Sequence, residues 1–179
     1  IGGTSRTPVR EALHILEKEG LLEIVSGKGY TVKSLDWDEF EQLCEIRMVN
    51  ETLGARWAVD AVTPELLSTM EDNIIRAEEE INAGNPRSFV QYDAEFHSIL
   101  IKSSCSERLL ELCSTLRQHM LRYRIRGLHK KEVALRALGE HRTIYDCLKR
   151  KDKRGVVKAV RNHLKMVRQS MMQQHGIDG

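Results

Sequence analysis

Residues 5–32 read SRTPVREALHILEKEGLLEIVSGKGYTV, and the pattern changes from helix to strand within this stretch. Ser5 can cap a helix, and Pro8 is tolerated in the first turn because its missing N–H would be unpaired there. Apolar residues then recur at helical spacing until Gly20, which predicts the end of the helix. Two alternating segments around a tip at residues 26–29 predict a β-hairpin. The stretch therefore predicts a helix and a two-stranded wing, the C-terminal half of a winged helix-turn-helix.

The start of this helix carries groups that suit DNA. In a winged helix-turn-helix, the second helix enters the major groove with its N-terminal residues against the bases. Arg6 and Arg10 lie four residues apart on one face, where their guanidinium groups could reach guanine or phosphate. Ser5 and Thr7 could donate to phosphates, and Gly29 keeps the wing tip small enough to approach the DNA backbone. The alternative is a pair of solvated arginines, the usual state of this residue on a helix surface.

The remainder of the chain predicts a second, all-helical domain. Six segments with helical periodicity follow one another, at about 36–61, 63–82, 86–102, 107–126, 130–150 and 153–174. Thr63 followed by Pro64 predicts a capped helix start. The expected fold is mainly α, with a partial winged helix at residues 1–33 and an all-α bundle of about six helices at residues 36–179.

The composition excludes several classes of protein. At 179 residues, the chain is long enough for one or two small domains with a real core. No apolar run approaches the roughly 20 residues that cross a bilayer, and no signal peptide precedes the first helix. We therefore expect a cytoplasmic protein with no membrane partner. The 4 cysteines lack paired spacing, which predicts reduced thiols rather than disulfides or a zinc ribbon.

One aspartate and three histidines are candidate metal ligands. Asp93 and His97 lie four residues apart, so both project from one helical face with Cβ atoms about 6 Å apart. His141 and His163 each lie in another helix that also carries an apolar stripe. Three imidazoles and a carboxylate converging inside a bundle would suit Zn²⁺, Ni²⁺, Mn²⁺ or Fe²⁺, with Zn²⁺ the first choice. From spacing alone, the alternative is an exposed ion pair between residues four apart.

The first part of the chain resembles the DNA-binding domain of the GntR family of bacterial transcription regulators. The resemblance runs through residues 1–33. It implies DNA contacts at five positions, which are Ser5, Arg6, Thr7, Arg10 and Gly29. A GntR domain normally begins with a first helix, a strand and a second helix, and these do not precede Ile1 here. We therefore expect the chain to be a fragment or the ordered part of a longer regulator.

Residues 36–175 resemble the FCD ligand-binding domain of the FadR subgroup of the same family. The matching segments are EIRMVNETLGARWAV, DAEFHSIL, EHRTIYDCLKRKD and AVRNHLKMV. In metal-binding members these positions hold one Asp and three His, which correspond to Asp93, His97, His141 and His163. The resemblance also places Arg47 towards the cavity, where its planar guanidinium would pair with an effector carboxylate. The alternative for Arg47 is an exposed ion pair with Glu51.

Further polar residues are candidates for the effector pocket. The family usually has an apolar residue three positions after Arg47, where this chain has Asn50. An Asn50 facing the pocket would suit a more polar effector, whereas an Asn50 facing solvent would carry no meaning. Tyr92, beside the first metal ligand, is the second candidate. Three further arginines are expected to form a basic solvated face, with a second anion contact as the alternative; they are Arg122, Arg124 and Arg126.

These features predict a one-component transcription regulator that is a homodimer on double-stranded operator DNA. A small organic acid would bind near the metal and shift the geometry between two DNA-binding domains, with repression as the commoner mode in the family. The alternative is a metal-dependent hydrolase or other enzyme that uses the Asp/His3 site. Against it, the sequence shows no His-Glu-x-x-His pattern, nucleophile–base constellation or Gly-rich phosphate loop. A third possibility is a purely structural metal that gives no effector response.

Overall fold

The computed structural model describes residues 6–127 and 130–174. The chain divides into two compact units, Ile1–Trp37 and Asp38–Gly179. No helix of the described residues combines the length and hydropathy that a membrane crossing requires.

The first unit is a helix followed by a hairpin. Its elements are α1 (Arg6–Lys18), β1 (Leu22–Val25) and β2 (Gly29–Val32). The strands pair antiparallel, with Leu22 opposite Val32. Gly27 and Gly29 have φ angles of 76° and 80°, a region that residues with a Cβ rarely adopt, so glycine is what allows the tight tip. The predicted helix and wing are confirmed.

The second unit contains six α-helices among its described residues. They are α2 (Trp37–Ala58), α3 (Pro64–Asn82), α4 (Phe89–Lys102), α5 (Glu107–Gly127), α6 (Lys131–Lys149) and α7 (Lys153–Gln174). Short 3-10 turns, Val59–Ala61 and Pro86–Ser88, lead into α3 and α4. Thr63 caps α3 by accepting a hydrogen bond from the backbone N–H of Leu66 at 3.1 Å, and Pro64 is the first helical residue, as predicted. The mainly α fold is confirmed.

Two glycines lie where an added Cβ would contact a neighbouring side chain. A Cβ at Gly54 of α2 would lie 2.6 Å from Cδ1 of Ile101 on α4, so a larger residue would require the side chain of Ile101 to shift. At the start of α7, Asp152 accepts a hydrogen bond from the N–H of Gly155 at 2.8 Å. A Cβ at position 155 would collide with that capping carboxylate, so glycine here leaves the cap undisturbed.

The core of the second unit is apolar apart from one set of buried polar side chains. α6 packs against α7, and α3 packs against both α4 and α6. The buried polar residues are Arg47, Glu51, Thr52, Asn73, Asp93, His97, Arg124, His141 and His163. Because buried charges are costly unless they are paired, the contacts among these residues decide whether the core is stable.

Candidate metal centre

The four predicted ligands converge in the core of the second unit. Each contributes one ligand atom, and these atoms all lie within 4.8 Å of one another. The Oδ1 atom of Asp93 lies 3.2 Å from Nε2 of His141 and 3.6 Å from Nε2 of His97. Its distance to Nε2 of His163 is 3.9 Å. All four side chains are buried, so the exposed ion pair considered from the spacing does not describe them.

The donor atoms of this cluster are left without full protein partners. Oδ1 of Asp93 and Nε2 of His141 are buried and, in the part of the chain that the structure describes, accept or donate no hydrogen bond. Nε2 of His97 faces Nε2 of His163 at 3.0 Å, where one proton between the rings satisfies both atoms. Buried polar atoms are nearly always partnered. A cation in the place of that proton would satisfy all four atoms, and three nitrogens with one oxygen are a donor set that fits Zn²⁺.

Two of the three imidazoles have a carboxylate on the side away from the cluster. Nδ1 of His97 lies 2.6 Å from Oε2 of Glu51, although the angle of this contact is poor for a hydrogen bond. Nδ1 of His163 makes a 2.9 Å hydrogen bond with Oε2 of Glu140. A carboxylate in this position favours the proton on Nδ1 and leaves Nε2 for a metal. Glu51 is fully buried, whereas the side chain of Glu140 is 28% exposed.

The third imidazole is held by an aromatic ring. His141 stacks on Phe96 with ring centroids 4.0 Å apart and an interplanar angle of 6°. The sequence analysis missed Phe96 and Glu140. Glu140 directly precedes His141, but its partner His163 lies 23 residues further along the chain, so no local spacing connects them.

Two buried arginines are paired with the buried carboxylates. Arg124 pairs with Asp93 and also donates to the carbonyl of Val90 at 3.0 Å. Arg47 donates from Nε to Oε1 of Glu51 at 2.5 Å. The expected alternative for Arg47 was an exposed ion pair with this same residue. The pair is present, but it is buried.

The basic solvated face expected for three arginines is wrong for Arg124. Its side chain is 1% exposed, because α5 turns it towards the carboxylate on α4. The expectation is also wrong for Arg122, two residues earlier, whose side chain is 8% exposed, pairs with Glu39 of α2 and donates to the hydroxyl of Tyr123 at 3.0 Å. Arg126 has no described side chain.

Pairing keeps both buried carboxyl groups ionised. Burial raises the pKa of Asp93, but the charge of Arg124 and contacts with the imidazoles outweigh it, so this pKa lies well below its usual range. Burial likewise raises the pKa of Glu51, and the charges of Arg47 and then His97 reverse the direction. Two buried negative charges are therefore present in the cluster.

Burial keeps two of the imidazoles neutral. It lowers the pKa of His141 to about 3 and also lowers the pKa of His163. Burial acts in the same direction on His97, but the charge of Glu51 prevails and the pKa of this imidazole is raised. Because a metal binds neutral imidazole, a proton on His97 would be released when a metal is bound.

The other predicted effector residues are not joined to this cluster. Asn50 uses its amide to donate to the carbonyl of Ile46 in its own helix, at 2.7 Å. Tyr92 is half-buried and makes no side-chain hydrogen bond within the described ranges. Glu95 lies between the two ligands of α4 but accepts a hydrogen bond from Asn73 at 3.0 Å. An effector role for Asn50 and Tyr92 stays a prediction.

The predicted DNA contacts lie in the first unit. Thr7 and Arg10 are exposed on α1, and Gly29 begins β2 at the wing tip. Ser5 lies outside the described residues, and only the backbone of Arg6 is described. Both exposed residues of α1 border an open groove of about 570 Å³, which is also lined by Glu11, His14, Ile24 and Tyr30.

Two family descriptions match the chain, one in each unit. The FCD domain matches residues 42–166, and bacterial regulatory proteins of the gntR family match residues 2–32. The chain belongs to the gntR family and carries an FCD domain. It is a DNA-binding transcription regulator, as predicted, and the enzyme considered as an alternative is rejected because this family and its named relatives regulate transcription.

Named relatives of this FCD regulator include both characterised and uncharacterised proteins. The uncharacterised HTH-type transcriptional regulator YdhC of Bacillus subtilis is 30% identical over 90% of this chain and 72% of its own length. The Nta operon transcriptional regulator of Aminobacter aminovorans is 31% identical over 65% of this chain and 55% of its own length. The HTH-type transcriptional repressor RspR of Escherichia coli is 25% identical over 94% of this chain and 74% of its own length.

Solved structures show the same fold as this regulator. E. coli McbR/YncC superposes with a TM-score of 0.83 at 22% identity, over 97% of this chain and 82% of the other. A GntR regulator from Rhodococcus gives a TM-score of 0.81 at 21% identity, over 95% of this chain and 81% of the other. At these identities the likeness concerns the fold alone.

Proposed function

We propose that this regulator binds a divalent metal, with Zn²⁺ the best match, and senses a small organic acid at that site. The observation that carries the proposal is the buried set of four ligand atoms, of which Oδ1 of Asp93 and Nε2 of His141 have no hydrogen-bond partner among the described residues. When bound, the metal would supply a Lewis acid that attracts the carboxylate of an effector. The four ligands are Asp93, His97, His141 and His163, and Glu51 and Glu140 orient two of the imidazoles.

Arg47 would hold the effector carboxylate. Its Nε is held by Glu51, while its Nη2 is buried and has no hydrogen-bond partner in the described ranges. A guanidinium nitrogen that has no other partner can donate a well-aligned hydrogen bond to a carboxylate oxygen. Glu51 contacts both Arg47 and His97, so the effector position and the metal position share one carboxylate.

The first unit would place its side chains against operator DNA. The proposed contacts are Ser5, Arg6, Thr7, Arg10 and Gly29. We propose a homodimer that acts as a repressor in the cytoplasm, because a two-fold symmetric protein matches a palindromic operator. A coupling of about 1–3 kcal/mol between effector and DNA would change operator affinity about 5- to 150-fold. The repressor RspR among the relatives supports this direction of control.

The first test measures metal per chain by elemental mass spectrometry. The protein is purified without chelator and without a nickel column. We expect about one metal ion per chain in the parent and in the control His119→Ala, whose histidine lies on α5 outside the cluster, and almost none in His141→Ala. Absence of metal in the parent, even after reconstitution, would contradict the proposal.

The second test separates the effector position from the metal position. Arg47→Gln should weaken carboxylate binding, measured by calorimetry on metal-loaded protein, while metal content is retained. Loss of the metal in this variant would show that Arg47 supports the metal centre through Glu51. An effector should also change the affinity for DNA upstream of the regulator's own gene, measured by fluorescence anisotropy. A purely structural metal would give no such response.

A further inference from the structure

Arg117 is a cation near the metal centre that the proposed function does not use. It lies on α5, four residues after the buried Cys113 and seven before Arg124, so the three share one helical face. Its Nη1 atom is buried without a hydrogen-bond partner, and no carboxylate within the described ranges forms an ion pair with it. Burial is the largest influence on the pKa of Arg117 and lowers it. The charge of Glu51 raises this pKa, and the charge of Arg47 lowers it. Because Arg117 shares this face of α5 with Arg124, which pairs with Asp93, it lies on the side of the helix that faces the polar cluster.

The charges of this cluster do not balance. Its two buried ion pairs are Arg47–Glu51 and Arg124–Asp93. These two carboxylates are the only fully buried acids among the described residues, so Arg117 has no counter-charge of its own. Glu140 lies behind His163 and is partly exposed to solvent. Arg117 as a whole is half-buried, but its Nη1 atom is buried. With neutral imidazoles, Arg117 and the two ion pairs together carry one excess positive charge, and a divalent metal would add two more. Because uncompensated buried charge is unfavourable, an anion with more than one charge suits this cluster better than a monoanion.

We propose that the effector is a dianion, of the dicarboxylic acid class, whose second anionic group pairs with Arg117. This inference rests on the proposed function, in which the first carboxylate binds at the metal centre and Arg47. The two nitrogens assigned to the ligand, Nη2 of Arg47 and Nη1 of Arg117, are both buried and unpartnered in the described part of the chain. A guanidinium paired with a carboxylate makes one of the stronger hydrogen bonds in proteins. Arg117 thereby selects a second charge that a simple monocarboxylate lacks.

The test compares each dicarboxylate with its own monomethyl ester. Malonate, succinate and glutarate are titrated into the metal-loaded full chain by calorimetry, each beside the ester that has the same carbon skeleton and one charge fewer. We expect at least one dicarboxylate to bind about tenfold or more tightly than its ester. Metal content is measured in the same samples, so that a lost ligand can be told from a lost metal.

Two substitutions on α5 assign the difference to one side chain. Arg117→Gln should lower the affinity for the dicarboxylate to that for the ester, while the affinity for the ester and the metal content stay unchanged. Arg108→Gln is the matched control, because Arg108 is exposed on the same helix and only pairs with Glu111 at 3.5 Å. Arg117→Lys retains the charge and should retain part of the preference, which keeps the test valid if the glutamine variant does not fold.

The outcomes distinguish this inference from the function on which it rests. If dicarboxylates and esters bind equally, the second anionic group is rejected and the carboxylate effector stands. If Arg117→Gln weakens both ligands equally, Arg117 supports the fold and does not select the ligand, and the inference is also rejected. If no carboxylate binds to metal-loaded protein, the carboxylate effector itself is rejected, and the dianion with it.

Discussion

The two units of this regulator use charged residues in opposite ways. In the first unit, Arg10 and Glu11 are exposed on α1, and His14 forms a surface pair with Glu17 at 2.8 Å. In the second unit, charged and histidine side chains from five helices, α2 and α4 to α7, lie in the core and contact one another. Water stabilises an exposed charge and leaves it available to a phosphate, whereas a buried charge needs a partner or a ligand. A substitution should therefore affect one contact in the first unit and a whole network in the second.

The largest effect is expected for Arg124→Gln in metal-free protein. The substitution leaves Asp93 buried without its guanidinium partner, which should lower the free energy of unfolding by about 3–5 kcal/mol. Metal loading should restore part of this loss, because a cation then neutralises the same carboxylate. Urea unfolding of metal-free and metal-loaded protein measures both values.

A surface ion pair provides the control for that prediction. Arg142 donates to Glu78 at 2.6 Å, and both side chains are about half exposed. Arg142→Gln should lower the free energy of unfolding by less than about 1 kcal/mol, with or without metal. Similar losses for the two arginines would contradict the distinction between buried and exposed charge.

A smaller effect is expected from adding metal. At a free concentration about 100 times its dissociation constant, Zn²⁺ should raise the free energy of unfolding of the parent by about 2.7 kcal/mol. The same addition should leave His163→Ala unchanged, because one of four ligands is missing, while the control His119→Ala should respond as the parent does. Thermal denaturation with and without metal measures this gain in stability for the parent and for each of the two variants. An unchanged increment in His163→Ala would place the metal elsewhere.

The carboxylates behind the imidazoles should have graded effects on metal affinity. Glu51→Gln and Glu140→Gln should each weaken metal binding within a range of about 10- to 100-fold, as measured by chelator competition. The loss should be larger for Glu51, because it is fully buried and also holds Arg47, whereas water can reach Glu140. Equal losses of metal affinity in the two variants would show that burial of the carboxylate does not determine how strongly it supports its imidazole.

The smallest effect on stability is expected in the first unit. Arg10→Ala should leave the melting temperature and metal content unchanged, because this side chain is exposed on α1. In the full-length regulator, the affinity of this variant for operator DNA should nevertheless fall about 5- to 150-fold, the value of one specific arginine contact. Lys18→Ala, at the other end of the same helix, is the control in anisotropy titrations. An operator affinity that equals the parent's would remove Arg10 from the proposed contacts.

Much of this fold was predicted from sequence features whose effects are local, acting between residues close together along the chain. The hairpin tip follows from glycines that adopt positive φ, and the start of α3 follows from Thr63 and Pro64, whose effects act within one turn. The residue types of the metal site were also recognisable, because Asp93 and His97 are one helical turn apart and the family resemblance supplied the other two ligands. Spacing alone left open an exposed ion pair between Asp93 and His97.

Tertiary structure alone decided which of the charged residues are buried and what they contact. Arg122 and Arg124 are two residues apart in one basic stretch, yet the first pairs with the partly exposed Glu39 and the second pairs with the buried Asp93. Glu140 likewise reaches a histidine on another helix. Helical periodicity fixes the face of a helix on which a side chain lies, but packing between helices distant in sequence determines what that face meets. The sequence by itself therefore determined the helices, the wing and the types of ligand, and the packing of four helices around Asp93 determined the charge balance of the site.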